Sequence, residues 1–176
     1  ESVEAEIPED SPRPYTIEQA MEGVFMPRQR FEDILSSLRR KKNVILEGPP
    51  GVGKTFVAKR LAHALIGFES NVGWVQFHQS YSYEDFMEGW RPSAEGKFIL
   101  RDGIFKQFTR SALDAPEENF VLIIDEINRG NLSKIFGELM MLIEADKRDA
   151  KWRTRLSYSG EEFHVPPNLH VIGMMN

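Results

Sequence analysis

The 176-residue sequence contains no cysteine, which excludes disulfides and thiolate metal sites as sources of stability or chemistry. No apolar run approaches the ~20 residues that a membrane-spanning helix requires, so no membrane partner is expected. Positive charge is not in excess: 22 Lys and Arg stand against 27 Asp and Glu, for a formal net charge of −5. That argues against a surface wholly devoted to nucleic acid, although a local basic patch is compatible with it. Glu1 to Asp10 are acidic and carry neither the basic nor the apolar segment of a secretory signal. A cytoplasmic location is the expectation these absences leave. Internal repeats and low-complexity segments are also missing. What remains is ordinary for a globular protein, with 41% hydrophobic and 28% charged residues and a length sufficient for one domain with a real core.

The most informative segment is Gly48-Pro49-Pro50-Gly51-Val52-Gly53-Lys54-Thr55, which matches the phosphate-binding P-loop pattern G-x-x-x-x-G-K-[ST]. Its glycines let backbone N–H groups close around phosphate oxygens. Lys54 can reach the β- and γ-phosphates, and the Thr55 hydroxyl can bind Mg²⁺. The pattern is meaningful only between a strand and a helix, and both flank it here. Asn43 to Leu46 is an apolar run that reads as a buried strand, and Phe56 to Ile66 has apolar residues three and four apart and ends at Gly67. The N-terminus of that helix adds its dipole to the anion site.

Elsewhere the chain alternates helical and strand patterns. Residues 1–15 read as an acidic, proline-rich linker and 16–176 as the nucleotide-binding core. Thr16 to Met21 predicts a short helix with Thr16 as N-cap and Gln19 in the capping-box position. Pro27 to Arg40 predicts a helix whose apolar face is Phe31, Ile34, Leu35 and Leu38, closed by the basic residues Arg39 to Lys42 at its dipole-negative end. Trp74 to His78 predicts a strand, Tyr83 to Glu88 a short helix and Glu95 to Asp102 a small hairpin. Ile104 to Leu113 predicts a helix with Ile104, Phe105, Phe108, Ala112 and Leu113 as its apolar face, Asn119 to Ile124 a strand and Leu132 to Ile143 an apolar helix. Arg153 to Val165 alternates around Ser159-Gly160 and predicts a hairpin, and Leu169 to Met174 predicts a last strand. Near-continuous apolar strands between helices imply a parallel sheet covered on both faces, with ligands at the carboxyl ends of the strands.

A second constellation follows from that placement. Val121 to Ile124 is an apolar strand ending in Asp125-Glu126. If this strand lies beside the P-loop strand, Asp125 reaches the Mg²⁺ site, where it can hold the ion through its water shell. Glu126 can then orient or deprotonate the attacking water. Asn176 ends the last apolar strand and can hydrogen-bond the γ-phosphate or that water. Arg129 can face a neighbouring subunit's nucleotide or pair locally, and the arginines of the Arg153–Val165 hairpin can line a pore or sit on an ordinary exposed hairpin. His78 reads as a hydrogen-bonded structural residue more than a catalyst. Tyr81, Tyr83, Phe86 and Trp90 read as core or subunit packing more than as a base-stacking platform.

These residues together resemble the AAA+ NTPases: a P-loop, an Asp-Glu pair ending a strand, and a later strand ending in Asn. The string Asp125-Glu126-Ile127-Asn128-Arg129 resembles the MoxR/McrB branch. Val75 to Phe86, Gly89, Arg91-Pro92, Asp102 to Phe105, Asn131 to Lys134 and Asp146 to Arg148 resemble the motor domain of McrB-like proteins, so the resemblance runs from about Phe25 to Asn176. It implies an α/β P-loop NTPase core, the AAA+ large subdomain, and a homo-oligomeric ring, a hexamer in its complete form. It also implies GTP as the favoured substrate, with ATP as the alternative, Mg²⁺, and a McrC-like nuclease partner. By the same analogy the nucleotide contacts are Gly48 to Phe56, with the base near Val24 and Phe25. The family's DNA-reading module, its lid subdomain, one core strand and its arginine finger are expected outside this sequence, so DNA is met through modules not in this chain. Weak hydrolysis by the chain alone is the corresponding expectation. Two other roles fit the same residues: a MoxR-type ATPase chaperone, and an assembly switch that binds nucleotide with little turnover.

Overall fold

The computed structural model of the protein describes residues 15–67 and 71–176. All of the expected linker except Tyr15 lies outside them. Tyr15 belongs to the folded body, its ring edge-on to His63. The elements run α1 (Ile17–Met21), α2 (Arg28–Lys41), β1 (Asn43–Glu47), α3 (Lys54–Ile66), β2 (Val72–Gln76), α4 (Tyr83–Phe86), β3 (Glu88–Pro92), β4 (Phe98–Asp102), α5 (Ile104–Asp114), β5 (Phe120–Asp125), α6 (Leu132–Phe136), β6 (Thr154–Arg155), β7 (Glu162–Phe163) and β8 (Leu169–Met175). Short 3₁₀ turns separate β5 from α6 and fill the stretch from Gly137 to Trp152.

The local signals act where the sequence puts them. Thr16 Oγ1 accepts from the Gln19 N–H at 3.2 Å while Gln19 Oε1 accepts from the Thr16 N–H at 2.9 Å, which closes the capping box of α1. Helix α2 buries Phe31, Leu35 and Leu38 and ends in three basic residues, Arg39 to Lys41, at its negative pole. Gly67 caps α3 in the left-handed conformation.

The central sheet is parallel in the order β1-β8-β5-β2. Its two inner strands are buried on both faces and alternate between two cores. Val121, Ile123, Ile172 and Met174 pack with α1, α2 and α3 on one side. Leu122, Ile124, Leu169 and Val171 pack with Phe77, Phe86, Phe105 and Phe136 on the other. This is the expected layered α/β arrangement.

Five expectations need correction. β1 is an edge strand, not a buried one, and Ile45 on it is 58% exposed. The strand expected at Trp74 to His78 starts and ends two residues earlier, since the Gln76–Asp125 pairing closes the ladder. The hairpin around Lys97 to Leu100 uses β3 as its first strand, so Glu88 to Pro92 are in a sheet and the helix before them ends at Phe86. The long apolar helix from Leu132 stops at Phe136, because Gly137 adopts φ 50 and ψ −125, a conformation closed to residues with a Cβ. Leu113 faces solvent, whereas Lys106 and Thr109 occupy the buried face of α5. The expected hairpin around Gly160 is present as the short β6–β7 pair.

Candidate nucleotide site

The parallel register brings three segment ends to one edge of the sheet. Glu47 lies opposite Met175, and Ile124 lies opposite Gly173. The P-loop leaves β1, Asn176 leaves β8, and Asp125-Glu126 ends β5 on that same edge. The sequence expectation that the Asp125 strand adjoins the P-loop strand is corrected here: β8 lies between them. Asn176 therefore stands between the P-loop and Glu126, and physically joins them.

The P-loop has the backbone form that phosphate binding needs. Gly51 and Gly53 have φ of +79 and +84, and a Cβ at either would meet no atom within 4 Å. Their requirement is conformational, not steric. Gly53 occupies the cap position of α3 without any side-chain cap. The first N–H groups of the helix thus remain available to an anion, and the helix dipole adds to their pull. Lys54 Nζ donates to the carbonyls of Gly48 and Pro49, the latter at 2.9 Å, and to Asn176 Oδ1 at 2.7 Å. Asn176 Nδ2 in turn donates to Glu126 Oε1 at 2.9 Å. Glu126 Oε2 pairs with Arg129 Nε at 3.1 Å. A continuous polar chain thus runs Lys54–Asn176–Glu126–Arg129, so Arg129 pairs locally.

Glu126 has φ 52 and ψ 41, one of two non-glycine residues at positive φ among those described. Such a backbone costs of order 1–3 kcal/mol and is held by its surroundings. Asp125 Oδ1 accepts the Glu126 N–H at 2.9 Å, which helps hold it. Thr55 is exposed, and its hydroxyl has no hydrogen bond among the described residues. A hydroxyl and a carboxylate are hard oxygen donors of the kind Mg²⁺ takes. Among the described residues no group of three His, Asp or Glu could hold a metal by itself.

The residues expected near the base separate. Phe25 is fully exposed at the mouth of a cavity of about 680 Å³ beside β1, which is also lined by Arg30, Ile34, Ile45, Val52 and Lys54. Val24 packs inward against the α1–α2–α3 core instead. Phe56 lies under the Arg60 guanidinium, 4.8 Å from ring centre to Cζ, and against Gly23, so it supports the loop before Phe25. Pro50 and Val52 are exposed. The contribution of α2 to this cavity was not expected, since nothing in its apolar periodicity marks which polar residues meet the P-loop.

Other candidates fall away from the site. His78 is exposed, its ring edge-on to Tyr81. Tyr81 stacks on Phe77 in the core, and burial pushes its phenol up to about 12. Trp90, expected in that aromatic cluster, is 51% exposed on the β3–β4 hairpin. Arg153 pairs with Glu162 across β6–β7 at 3.1 Å.

Comparison with known proteins agrees with this geometry. The family model of the AAA domain, dynein-related subfamily, matches residues 43–176. The chain is 54% identical to the type IV methyl-directed restriction enzyme EcoKMcrB subunit of Escherichia coli strain K12, over 92% of this chain and 36% of that protein. It is 27% identical to the type II restriction enzyme BsuMI component YdiS of Bacillus subtilis strain 168, over 84% of this chain and 58% of that one. The chain thus spans little more than a third of the first relative and somewhat over half of the second. Among solved structures, a candidate ATPase from Cytophaga hutchinsonii matches 91% of this chain and 42% of its own at 16% identity, with a TM-score of 0.54, a likeness of fold. The P-loop, the parallel sheet and the family match together establish that the chain belongs to the AAA domain family, dynein-related subfamily, as a McrB-like P-loop NTPase domain.

Proposed function

We propose that the protein binds a nucleoside triphosphate with Mg²⁺ and hydrolyses its γ-phosphate. The observation that carries this is the chain Lys54–Asn176–Glu126 at the carboxyl edge of the sheet. It joins a phosphate-binding cation, a polar side chain able to orient water, and a carboxylate able to take a proton. Lys54 moves from the loop carbonyls to the β- and γ-phosphates, which the N–H groups of Gly51 to Thr55 also cradle. Thr55 and Asp125 would hold Mg²⁺, which when bound would offset the negative charge of the phosphates. Asn176 turns its amide to the γ-phosphate and the water. Glu126 accepts the water proton as the water oxygen bonds to γ-phosphorus and the bond to the β-phosphate oxygen breaks. The products are a nucleoside diphosphate and inorganic phosphate.

The resemblance of the motor residues to McrB-like proteins favours GTP as substrate, with ATP possible. It also supports a homo-oligomeric ring, hexameric when complete, that works with a McrC-like nuclease on DNA contacted by other modules. Phe25 offers a stacking face to either purine. Among the described residues no helix is long and apolar enough to cross a membrane, and a cytoplasmic location fits the proposal. The test is titration of GTP and ATP, each with Mg²⁺, into the wild type, Lys54→Ala and Glu126→Gln. Lys54→Ala is expected to weaken binding at least ~10²-fold, since charge-assisted hydrogen bonds contribute about 1.5–3 kcal/mol each. Glu126→Gln is expected to bind normally and to release phosphate at least ~10²-fold more slowly. Little turnover in the wild type, with assembly and output unchanged in Glu126→Gln, would instead favour the assembly switch, and binding of ATP alone would favour the chaperone role.

A further inference from the structure

Arg39, Arg40 and Lys41 form the last turn of α2, and Lys42 caps it in the left-handed conformation. The first three are exposed, and among the described residues their side chains have no hydrogen bond or ion pair. Lys42 is half-buried, with its Nζ 3.5 Å from His170 Nε2. His170 Nδ1 faces the Phe120 carbonyl at 3.4 Å, which calls for a proton on Nδ1 and leaves Nε2 to accept from Lys42. The other two ammonium hydrogens of Lys42 have no acceptor among the described residues. Arg148 lies close enough to repel Lys42 and is 4% exposed, yet its guanidinium donates only to neutral oxygens, those of Ile143, Leu169 and Asn43. The acids nearby are engaged elsewhere or stand off. Asp146 and Asp149, which flank Arg148 in the chain, pair with Lys147 at 3.0 Å and Lys151 at 3.7 Å. Glu32 and Asp33 of α2 accept from Arg28 and Gln29, and exposed Glu144 pairs with none of the five cations. Five cations thus gather without a counter-charge in a chain whose net charge is −5.

The negative end of α2 offsets part of this charge, but it carries only about half a unit. Half a charge does not balance five cations, of which Lys42 and Arg148 are drawn out of water, where an unpaired charge is costly. We infer that this end of the sheet holds phosphate groups of a nucleic-acid backbone, without reading sequence. Arg39, Arg40 and Lys41 supply the solvent-facing attraction, each replacing a condensed counterion on a phosphate. Lys42 offers its two free N–H groups to one phosphate, and buried Arg148 adds its charge from behind. A polyanion fits better than a lone oxyanion, because the exposed cations surround the helix end and one phosphate cannot meet them all. The patch lies where β1 and β8 begin, at Asn43 and Leu169, whereas the P-loop and Asn176 leave the other ends of those strands. Five residues of strand put the two about 15 Å apart, so nucleic acid and nucleotide do not compete for the same groups.

The experiment is fluorescence anisotropy of a labelled duplex DNA of about 20 base pairs, titrated with the protein at roughly 0.05–0.3 M KCl without nucleotide or Mg²⁺. In the wild type, log K against log salt is expected to fall with a slope of about −3 to −4, near 0.9 for each of four neutralised phosphates. Arg39→Ala, Arg40→Ala and Lys41→Ala combined are expected to make the slope shallower by about 3 and to weaken binding at least ~10-fold at the lowest salt. Lys42→Gly suits the φ of 65 and removes the ammonium, and is expected to make the slope shallower by about 1. Both variants are expected to keep the circular dichroism spectrum of the wild type; should the triple variant unfold, Lys42→Gly decides. Absence of DNA binding by the wild type overturns the inference, as does a wild-type slope in a folded variant. Displacement of the DNA by inorganic phosphate at constant ionic strength overturns the backbone assignment in favour of a small-oxyanion site.

Discussion

His170 sits at the foot of β8, 1% exposed, with Lys42 Nζ 3.5 Å from its Nε2 and the Phe120 carbonyl 3.4 Å from its Nδ1. Burial is the main cause that pushes its imidazole down to about 4, with Lys42 and Arg148 adding repulsion and the Phe120 and Asn168 backbone opposing them. Arg148 is itself buried, and its guanidinium donates to the carbonyls of Ile143 and Leu169 and to Asn43 Oδ1, all neutral acceptors. An unfolded His170 binds a proton below about 6.5 while the folded one stays neutral until about 4. In that window the unfolded chain holds more protons, so stability rises with pH and is lost as pH falls from 6.5 toward 4. The full effect is about 3 kcal/mol at the acid end. Urea titrations at pH 5 and pH 7 are expected to show this loss in wild type and a shallower pH dependence in His170→Gln. A second residue-scale prediction concerns Lys106, 2% exposed, whose Nζ lies 2.6 Å from Glu88, 2.8 Å from Glu161 and 3.1 Å from Asp102. Lys106→Met leaves those carboxylates facing each other, and a loss of about 3 kcal/mol in urea unfolding is expected. Adding Glu88→Gln is expected to recover part of it, a non-additivity that a double-mutant cycle reads directly.

Elements meet where backbones approach closely, and α5 enters the fold through such a contact. A Cβ on Gly103 would lie 2.4 Å from the Phe86 carbonyl carbon and 2.5 Å from its oxygen. The Gly103 N–H also donates to the Met87 carbonyl at 2.6 Å. Neither partner is a side chain that can rotate away, so Gly103→Ala must move α4 or α5. A loss of roughly 3 kcal/mol or more is expected, above the usual range for overpacking of about 1–3 kcal/mol, and is checked by urea unfolding followed by circular dichroism. Such contacts explain what could be read beforehand. Helices α1, α2 and α3 declare themselves through caps and 3.6-residue periodicity, and β5 and β8 through unbroken apolar runs, because these signals are local. The end of α6 at Phe136 and the pairing of β3 with β4 across the Ser93–Lys97 turn carry no side-chain cap or unbroken apolar run that marks them. The apolar run from Leu132 to Ile143 looks helical throughout, and its break at Gly137 rests on a backbone conformation of φ 50 and ψ −125 that apolar periodicity does not signal. The site follows the same division. Lys54, Asp125, Glu126 and Asn176 each end or follow a readable strand. Their wiring does not show, because strand order is a non-local property: placing β8 between β1 and β5 is what makes Asn176 a bridge.

At the scale of the whole molecule, the site is a seam between segments far apart in sequence. The P-loop hangs between β1 and α3, while Asn176 and Glu126 hang from the two innermost strands. A triphosphate that engages all of them links β1, β8, β5 and α3, and so links the two cores that the sheet separates. Ligand that binds only the folded protein adds RT ln(1 + [L]/Kd), about 2.7 kcal/mol at a hundredfold excess over Kd. For a domain of 150–250 residues each kcal/mol moves the midpoint by about 2–4 °C. Thermal unfolding with saturating GTP and Mg²⁺ is therefore expected to shift upward by roughly 5–10 °C. EDTA is expected to remove most of the shift, since Thr55 and Asp125 then lack the ion through which they grip the phosphates. Lys54→Ala is expected to remove all of it. The same measurement with ATP ranks the two bases without requiring turnover, because equal phosphate contacts leave only the region around Phe25 to distinguish them. A shift that survives in Lys54→Ala would mean that the nucleotide binds away from the P-loop.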